Sequence, residues 1–272
     1  MNRCSDQFRP YRAWAAVSSA CCRLPVAGAG CLARVCPVSS YLITGVSGGI
    51  GRVLSERLLA AGHQVFGLAR SVESVAGLGL AEVVLADLSA PESLEPALEP
   101  WLAGLAELDG VVHCAGIVRP GTLAGSSPAD FEEQFTVNVT AAAELTRLLL
   151  PALRAAGGTV VFVNSGSGLN ARSPMTSYGA SKFALRAYAE GLRQEEPGVR
   201  VSTIYPGRTA TGMQRRVRAA ESGEYRESDY LQPSTVAGVI EMMLFLPADG
   251  TITDLVVRPA GLPGPASPDA HR

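Results

Sequence analysis

Short apolar runs alternate with stretches of helical periodicity along most of the chain, and this alternation restricts the fold more than any other feature. The apolar runs predict strands at residues 41–44, 64–69, 82–86, 110–114, 159–164, 199–204 and 254–257. The stretches between them predict helices at 49–61, 91–106, 129–155, 177–195 and 233–246. Strands that alternate with helices form parallel βαβ units with right-handed crossovers. We therefore predict an α/β fold, a doubly wound parallel sheet of about seven strands with helices on both faces.

The first 37 residues differ in composition from the rest of the chain. They hold five arginines against one acidic residue, Asp6, together with five of the six cysteines. Three interpretations stay open. The segment could be an organelle transit peptide. It could also be a secretory signal, but Arg23 interrupts the apolar region and disfavours this. We favour the third interpretation, that these residues are translated from sequence upstream of the real start. We predict a disordered leader at 1–37, one domain at 38–258 and a flexible tail at 259–272.

Charge and cysteine content restrict the class of partner and the compartment. The net charge is −2, which gives no electrostatic footprint for nucleic acid, and no apolar run predicts a membrane span. Only Cys114 lies outside the leader, so the domain has no disulfide framework, and we predict a reducing compartment, the cytoplasm. The cysteine spacing matches no zinc pattern, and no metal site is predicted.

A glycine-rich turn follows the first predicted strand and opens the first predicted helix. Its residues are Thr44, Gly45, Val46, Ser47, Gly48, Gly49, Ile50 and Gly51. The glycines at 45, 49 and 51 would allow a tight turn, close backbone approach to a pyrophosphate and close packing of helix on strand. The start of the helix would offer free N–H groups to the phosphates. The turn therefore predicts a dinucleotide site, although a glycine-rich turn without a ligand is the alternative.

The residues after the second and third strands bear on which dinucleotide is bound. Ala69 stands where a carboxylate would bind a free ribose 2′-hydroxyl, and Arg70 follows it. A guanidinium suits a 2′-phosphate, so we predict NADP, with NAD possible. Asp87 and Leu88 follow the third strand, where the carboxylate could accept a hydrogen bond from the adenine amino group. A plain turn-starting aspartate is an equal alternative.

Tyr178 and Lys182 are four residues apart on one predicted helix and so share a face. Lys182 is the only lysine among 23 Lys and Arg residues. A phenol titrates near ~10, and a neighbouring ammonium would lower that pKa, which would make Tyr178 a usable acid and base. Taken alone, the pair also fits an ordinary surface contact.

Two further residues strengthen the interpretation of this pair as a catalytic site. Ser165 follows the fifth predicted strand, at the sheet edge where ligands bind, and could polarise a substrate carbonyl. Asn138 lies inside the long predicted helix, where an amide packs poorly, and could hold a proton-relay water. A core amide that joins two backbone segments is the alternative for Asn138.

Together these residues resemble the short-chain dehydrogenase/reductase family in its compact single-domain branch. The matches also include Cys114, Ala115 and Gly116 after the fourth strand, and Pro206, Gly207, Thr209 and Thr211 after the sixth. The resemblance spans roughly residues 40–258. It implies a Rossmann fold.

The resemblance also implies roles for the matched residues. Tyr178 would be the acid/base, and Lys182 would bind the nicotinamide ribose. Ser165 would hold the carbonyl, and Asn138 would anchor a water. The loop from Pro206 would contact the nicotinamide end of the cofactor.

The chain departs from the family pattern at two positions. Cys114 replaces the usual asparagine, for which a small buried filler is favoured over a redox switch. Gly48 stands where NADP-preferring relatives often carry arginine, so the NADP prediction depends mainly on Arg70. The resemblance further implies a homodimer or homotetramer, assembled through the helices at 129–155 and 177–195.

We predict an NADP(H)-dependent oxidoreductase that interconverts a small-molecule carbonyl and an alcohol. An epimerase or dehydratase is disfavoured, because too few residues follow Gly207 for a substrate domain. A non-catalytic dinucleotide sensor or scaffold is the alternative from another class. Residues 208–232 are expected to cover the substrate. Their arginines at 215, 216 and 218 could meet an acidic substrate, or simply face solvent on a solvated lid.

Overall fold

The computed structural model describes residues 38–260, and its seven strands form one parallel sheet in the order β3-β2-β1-β4-β5-β6-β7. The strands are β1 (Ser40–Thr44), β2 (Gln64–Ala69), β3 (Glu82–Leu85), β4 (Gly110–His113), β5 (Thr159–Val163), β6 (Arg200–Pro206) and β7 (Asp254–Val257). The α-helices are α1 (Gly49–Ala60), α2 (Leu94–Leu102), α3 (Pro128–Phe135), α4 (Ala141–Ala156), α5 (Thr176–Glu195), α6 (Gly212–Ala220) and α7 (Pro233–Leu244). The predicted leader lies outside the described residues, as does all of the predicted tail beyond residue 260.

The sheet is covered on both faces, which confirms the predicted fold class. Successive residues of a central strand face opposite sides, so Leu42 packs beneath α2, α4 and α5 whereas Ile43 packs beneath α1 and α7. Val111 and Val112 of β4 divide between the two sides in the same way, and all four side chains are fully buried. Burial on both sides explains why these strands are continuous apolar runs in the sequence.

The long helix predicted at 129–155 is three segments in the structure. Ser127 caps α3 through a capping box with Asp130, and a π-helical turn, Thr136–Thr140, then separates α3 from α4. The turn is rich in β-branched residues, which lower helix propensity. Wide π-turns inside helices often occur at functional sites, and this one carries Asn138.

Other predicted boundaries differ by a few residues, and one helix was missed. The strands predicted to end at 86, 114 and 164 each end one residue earlier, and β6 runs two residues further, to Pro206. The missed helix is α6, whose sequence holds three arginines and one buried apolar residue, Val217. A helix with so little apolar surface gives a weak periodic signal.

The carboxyl edge of the sheet brings the predicted motifs together. β1 lies between β2 and β4, so the chain reverses direction across the sheet at the β1–β4 boundary. In open parallel sheets, ligands bind in the crevice at such a boundary. The turn after β1 and the segment after β4 meet there, where the Ala115 N–H donates to Thr44 Oγ1 at 3.0 Å. Across residues 38–260, no helix has both the length and the apolar character to cross a membrane.

Candidate active site

The glycine-rich turn depends on the absence of side chains at defined positions. Gly45 and Gly49 have positive φ angles of 67° and 54°, which favour glycine. A Cβ added at Gly51 would lie 2.5 Å from the carbonyl oxygen of Gly45, and one at Gly45 would lie 2.9 Å from Ala115 N. A Cβ at Gly48 would meet nothing within 4 Å, and its φ of −172° is ordinary extended backbone. The turn is therefore tight on its inner side and open at Gly48.

The loop after β6 contacts the glycine-rich turn through Thr211 and not through Thr209, which we had selected from the sequence. Thr209 is buried, and its hydroxyl donates to the Gly207 carbonyl at 3.0 Å. Thr211 instead lies against the turn, with its Cγ2 3.2 Å from a Cβ added at Gly49. Thr211 also caps α6, because its side chain accepts from Gln214 N. Thr211 was noted in the sequence pattern but was not chosen as a cofactor residue.

The far end of the crevice holds Arg70 and Asp87, after β2 and β3. Both are exposed, and Arg70 has no hydrogen-bond partner among residues 38–260. Asp87 accepts from Ser89 N at 2.9 Å, and this contact, with a smaller contribution from the positive charge of Arg70, lowers the pKa of its carboxyl group. The bond to Ser89 is the turn-starting role we had considered. Leu88 packs against the core beneath α2.

Ser165, Tyr178 and Lys182 meet at the carboxyl end of β5. Ser165 follows the strand in an extended conformation, and its hydroxyl accepts from Ser167 N at 3.1 Å and lies close enough to the Tyr178 phenol to lower the pKa of that group. Lys182 is 4% exposed, and its Nζ lies 5.9 Å from the centre of the Tyr178 ring. The Nζ also donates to the Val163 carbonyl at 3.1 Å. Three chemically distinct groups, a hydroxyl, a phenol and an amine, therefore share one corner of the crevice.

The pKa values in this cluster differ from our expectation. Burial raises the pKa of Tyr178, and the nearby Ser165 hydroxyl offsets only part of that rise. The charge of Lys182 is not among the causes that lower the pKa of Tyr178, although we had expected it to be. Burial also lowers the pKa of Lys182 to about 8, against a smaller opposite influence of Cys114. Desolvation penalises both charged forms and is the larger effect here.

Asn138 links the loop after β4 to α5. Its Oδ1 accepts from Ile117 N at 2.8 Å, and its Nδ2 donates to Ile117 O at 3.0 Å and to Ser181 Oγ at 3.1 Å. The amide is 2% exposed. These are the contacts of a core amide that joins two segments, the alternative considered from the sequence. A Cβ added at Gly116 would lie 3.0 Å from Asn138 Oδ1, so glycine fits closely against this amide.

Gln134, one helical turn before Asn138, makes a parallel link that the sequence analysis missed. Its Oε1 accepts from Arg119 N at 2.9 Å, and its Nε2 donates to Ser177 Oγ at 2.8 Å and to the Asp130 carbonyl at 2.7 Å. The two amides thus bind Ser177 and Ser181, the residues immediately before Tyr178 and Lys182. The sequence signal that could have identified Gln134 is a second amide side chain four residues before Asn138.

Asn164 supplies a third amide contact behind the cluster. Its Oδ1 accepts from Ser165 N at 2.8 Å, and its Nδ2 donates to the Lys182 carbonyl at 3.0 Å. A Cβ on Gly168 would come within 2.5 Å of Asn164 Oδ1. The end of β5 and the middle of α5 are therefore held at a fixed separation.

Cys114 occupies the start of the segment after β4 and packs against the core. Burial raises the pKa of its thiol to about 12, although the Lys182 charge opposes this. A thiol with that pKa is protonated and unreactive at neutral pH, which favours the filler role. Within the described range 38–260, no three or more His, Cys, Asp or Glu side chains are grouped to hold a metal ion.

Residues 207–232, here called the β6–α7 segment, form a closed unit beside the cluster. Leu231 N donates to Arg208 O, and Ala210 N donates to Leu231 O, so the two ends of the segment are joined. Glu221 accepts two hydrogen bonds from Arg208, at 2.8 and 2.6 Å, and one from Arg218 at 2.7 Å. Ion pairs to Glu221 therefore help to hold the segment together, beside the buried side chains of Val217 and Leu231.

Aromatic contacts complete this segment. The rings of Tyr225 and Tyr230 stack with their centres 5.0 Å apart. The Arg215 guanidinium lies 4.5 Å from the centre of the Tyr225 ring and pairs with Glu227 at 3.3 Å. Two of the three arginines considered for an acidic substrate, Arg215 and Arg218, thus have acidic partners within the segment.

Comparison with known proteins agrees with this geometry. The model of the short chain dehydrogenase family matches residues 40–222. An uncharacterized oxidoreductase, YbbO, of Escherichia coli is 36% identical over 190 residues, which are 67% of this chain and 70% of that protein. A 1-deoxy-11-beta-hydroxypentalenate dehydrogenase of Streptomyces avermitilis is 36% identical over 65% of this chain and 71% of its own length.

Solved structures show the same architecture. An alcohol dehydrogenase from Thermococcus sibiricus has a TM-score of 0.74 and 25% identity, over 84% of this chain and all of its own. A short chain dehydrogenase from Shigella flexneri has a TM-score of 0.73 and 26% identity, over 80% of this chain and 95% of its own. The doubly wound sheet, the glycine-rich turn and these matches agree, and the chain belongs to the short-chain dehydrogenase family of oxidoreductases.

Proposed function

We propose that this chain is an NADP(H)-dependent oxidoreductase that interconverts a small-molecule carbonyl and its alcohol by hydride transfer. The observation that supports this best is the cluster at the end of β5, where the Ser165 hydroxyl lies beside the Tyr178 phenol and Lys182 Nζ lies 5.9 Å from the centre of the phenol ring. A proton donor, a hydrogen-bonding hydroxyl and an ammonium beside a dinucleotide-type turn are the groups that such a reaction requires.

In this proposal Tyr178 is the acid in reduction and the base in oxidation. Its raised pKa keeps the phenol protonated at neutral pH, so that it can donate to a carbonyl oxygen. Ser165 hydrogen-bonds the same oxygen and orients it. Lys182, with a pKa of about 8, is mainly an ammonium at neutral pH and would hold the nicotinamide ribose. Asn138 would anchor a water behind Lys182 as well as joining the two segments.

The residues around the crevice fit a dinucleotide. Cβ atoms at Gly45 and Gly51 would strike backbone, so the turn is closed to side chains there and leaves backbone N–H groups, which a pyrophosphate needs. When bound, the cofactor supplies the hydride in reduction and accepts it in oxidation. We assign to the pyrophosphate and nearby ribose Thr44, Gly45, Ser47, Gly49, Ile50, Gly51, Cys114, Ala115 and Gly116. We assign to the nicotinamide end Tyr178, Lys182, Pro206, Gly207 and Thr209, and we add Thr211.

The preference for NADP follows from Arg70. Its guanidinium is exposed after β2, has no partner among residues 38–260, and lies near Asp87, which with Leu88 would face the adenine. A 2′-phosphate could accept two hydrogen bonds from this group. The Thermococcus sibiricus and Shigella flexneri structures were solved with 5-hydroxy-NADP and NADP, which supports the same cofactor here. Competition between NADPH and NADH checks this, and equal or better turnover with NADH would contradict it.

We also propose that the chain works in the cytoplasm as a homodimer or homotetramer paired through α4 and α5. Phe183 on α5 is a large apolar side chain that is 40% exposed, which suits a subunit contact. Light scattering of the purified protein gives the mass, and a monomer would contradict the proposed assembly without affecting the proposed chemistry.

The function is tested by NADPH consumption with a panel of aldehydes and ketones, for wild type and Tyr178→Phe. Wild type should turn over part of the panel, and the variant should lose at least about a hundredfold in kcat. Its affinity for NADPH, measured by fluorescence, should change little. Indistinguishable rates for the two proteins would overturn the proposed role of Tyr178 and favour a binding protein without turnover.

A further inference from the structure

The arginines of residues 38–260 divide into a paired and an unpaired group. Most bind a carboxylate or a carbonyl, such as Arg57 with Glu241 at 2.6 Å and Arg154 with Glu196. Within the described part of the chain, the arginines without a hydrogen-bond or ion-pair partner are Arg70, Arg172, Arg216 and Arg258. Arg70 and Arg258 directly follow the carboxyl ends of β2 and β7, whereas Arg172 lies in the connection after β5 and Arg216 lies in α6. Two arginines without a bonded partner therefore lie at the edge of the sheet that carries the site.

Arg258 is the member of this group that lies beside the residue after the serine of the cluster. It directly follows β7, and its Cα is 3.5 Å from a Cβ added at Gly207. Its Nη1 is 3.9 Å from a Cβ added at Gly166, the residue after Ser165. The side chain therefore crosses the end of β6 and places its guanidinium beside the backbone that leads out of Ser165.

Glu221 of the β6–α7 segment and Asp254 of β7 have other partners. Glu221 in the β6–α7 segment is bonded to Arg208 and Arg218. Asp254, four residues earlier, accepts from Tyr205 OH at 2.8 Å and lies 3.8 Å from Arg193. An arginine that is left without a carboxylate in a chain where most others have one is available to a ligand.

We propose that Arg258 binds a carboxylate of the substrate, so that the enzyme acts on carbonyl acids and hydroxy acids in preference to uncharged carbonyl compounds. This rests on the proposed function, because the reacting carbonyl is assigned to Ser165 and Tyr178. A planar guanidinium can form two parallel hydrogen bonds to a carboxylate and so fixes the orientation of the molecule as well as its charge. Arg258 would then set which end of the substrate faces the phenol.

The test compares acids with their own methyl esters. Suitable pairs are 4-carboxybenzaldehyde, 4-oxopentanoate and 5-oxohexanoate, each against its ester, with NADPH. Wild type should prefer at least one acid, and Arg258→Gln should lower kcat/KM for that acid about tenfold or more while leaving the ester within about twofold. Arg258→Lys should recover part of the loss. An acid-to-ester ratio that is the same in wild type and Arg258→Gln would overturn the proposal.

A matched control separates this effect from the general loss of a charge. Arg154→Gln removes an exposed arginine near the opposite edge of the sheet, where α4 leads into β5. It should leave the acid-to-ester ratio of kcat/KM as it is in wild type. A fall in the acid-to-ester ratio in Arg154→Gln equal to that in Arg258→Gln would contradict a local role for Arg258.

Binding without turnover distinguishes failure of this proposal from failure of the proposed function. Calorimetric titration with benzoate should show binding to wild type and at least about tenfold weaker binding to Arg258→Gln, with methyl benzoate insensitive to the substitution. If neither acids nor esters are reduced but this pattern appears, the carboxylate site stands and the proposed function fails. Benzoate that binds wild type no better than Arg258→Gln would overturn the carboxylate site.

Discussion

The two ends of the crevice are built in different ways. At the cofactor end, the turn after β1 is shaped by missing side chains, because Cβ atoms at Gly45 and Gly51 would strike backbone. At the substrate end, α5 is held by buried amides such as Gln134 and Asn138, and the β6–α7 segment is held by ion pairs to Glu221. The cofactor end is shaped by steric exclusion of side chains, and the substrate end is held by hydrogen bonds between side chains. Substitutions should therefore act on the two ends in separable ways.

The largest expected effect comes from filling the turn. Gly51→Ala places a methyl group 2.5 Å from the Gly45 carbonyl oxygen, and no flexible side chain is there to move aside. Overpacking of this kind costs about 1–3 kcal/mol of unfolding free energy. The displaced turn should also lose at least about a hundredfold in NADPH affinity, as measured by fluorescence titration.

The matched control is Gly48→Ala, whose added Cβ meets nothing within 4 Å. Its thermal midpoint and its NADPH affinity should stay close to wild type. Gly48→Arg should likewise fold, and it should bind NADPH more tightly, because an arginine there adds a second cation near the phosphates. Equal losses at positions 48 and 51 would show that the turn is not shaped by sterics.

The next effect concerns the buried amide of Gln134. Gln134→Leu leaves Arg119 N and the Ser177 hydroxyl without their partner, which costs about 2–4 kcal/mol of unfolding free energy. Because Ser177 precedes Tyr178, kcat should fall about tenfold or more, while the KM for NADPH changes little. Gln194→Leu on the exposed side of α5 is the control. A loss of stability with unchanged kcat per folded molecule would limit Gln134 to a structural role.

The pH dependence should follow Lys182. Its ammonium form, with a pKa of about 8, is required in our account, so carbonyl reduction should halve near pH 8 and fall about tenfold by pH 9. The Tyr178 phenol stays protonated across this window, because burial raises its pKa. A reduction rate that is flat from pH 7 to 9 would contradict the role given to Lys182.

The contribution of Lys182 to the stability of the protein should change in the opposite sense, so loss of this contribution is not the cause of the fall in rate. The folded pKa of Lys182 is below its unfolded value of 10.5, so between these pH values the unfolded chain binds more protons. The contribution of Lys182 to the free energy of unfolding therefore rises with pH in that window. Urea titrations at pH 7 and 9, compared with Lys182→Met, measure this contribution.

The smallest effect is expected at Glu221. Glu221→Gln keeps the shape of the side chain but removes the charge shared by Arg208 and Arg218, which are partly exposed, so the change in unfolding free energy should be about 1 kcal/mol or less. The KM for the carbonyl substrate should rise several-fold, whereas NADPH affinity should not change. An equal change in both would show that the two ends of the crevice are not separable.

The features of the molecule that the sequence predicted are those determined by residues close together in the chain. The order of strands and helices follows from apolar periodicity, and the glycine turn follows from spacing within eight residues. What could not be predicted depends on contacts between distant segments. Gln134 and Ser177 are 43 residues apart, and Thr211 meets a glycine more than a hundred residues earlier. The raised pKa of Tyr178 was also missed, because burial outweighs the nearby charge and burial is a property of the whole fold.

The central claim is that Tyr178 donates a proton to a carbonyl that receives hydride from the cofactor. It is tested most directly with NADPH that carries deuterium at both C4 positions of the dihydronicotinamide and a carbonyl substrate from the panel. Mass spectrometry of the alcohol should show one deuterium on the carbinol carbon with wild type and at least about a hundredfold less labelled product with Tyr178→Phe, at equal cofactor occupancy. Labelled product formed at the same rate by both proteins, or wild-type product without deuterium, would contradict the account.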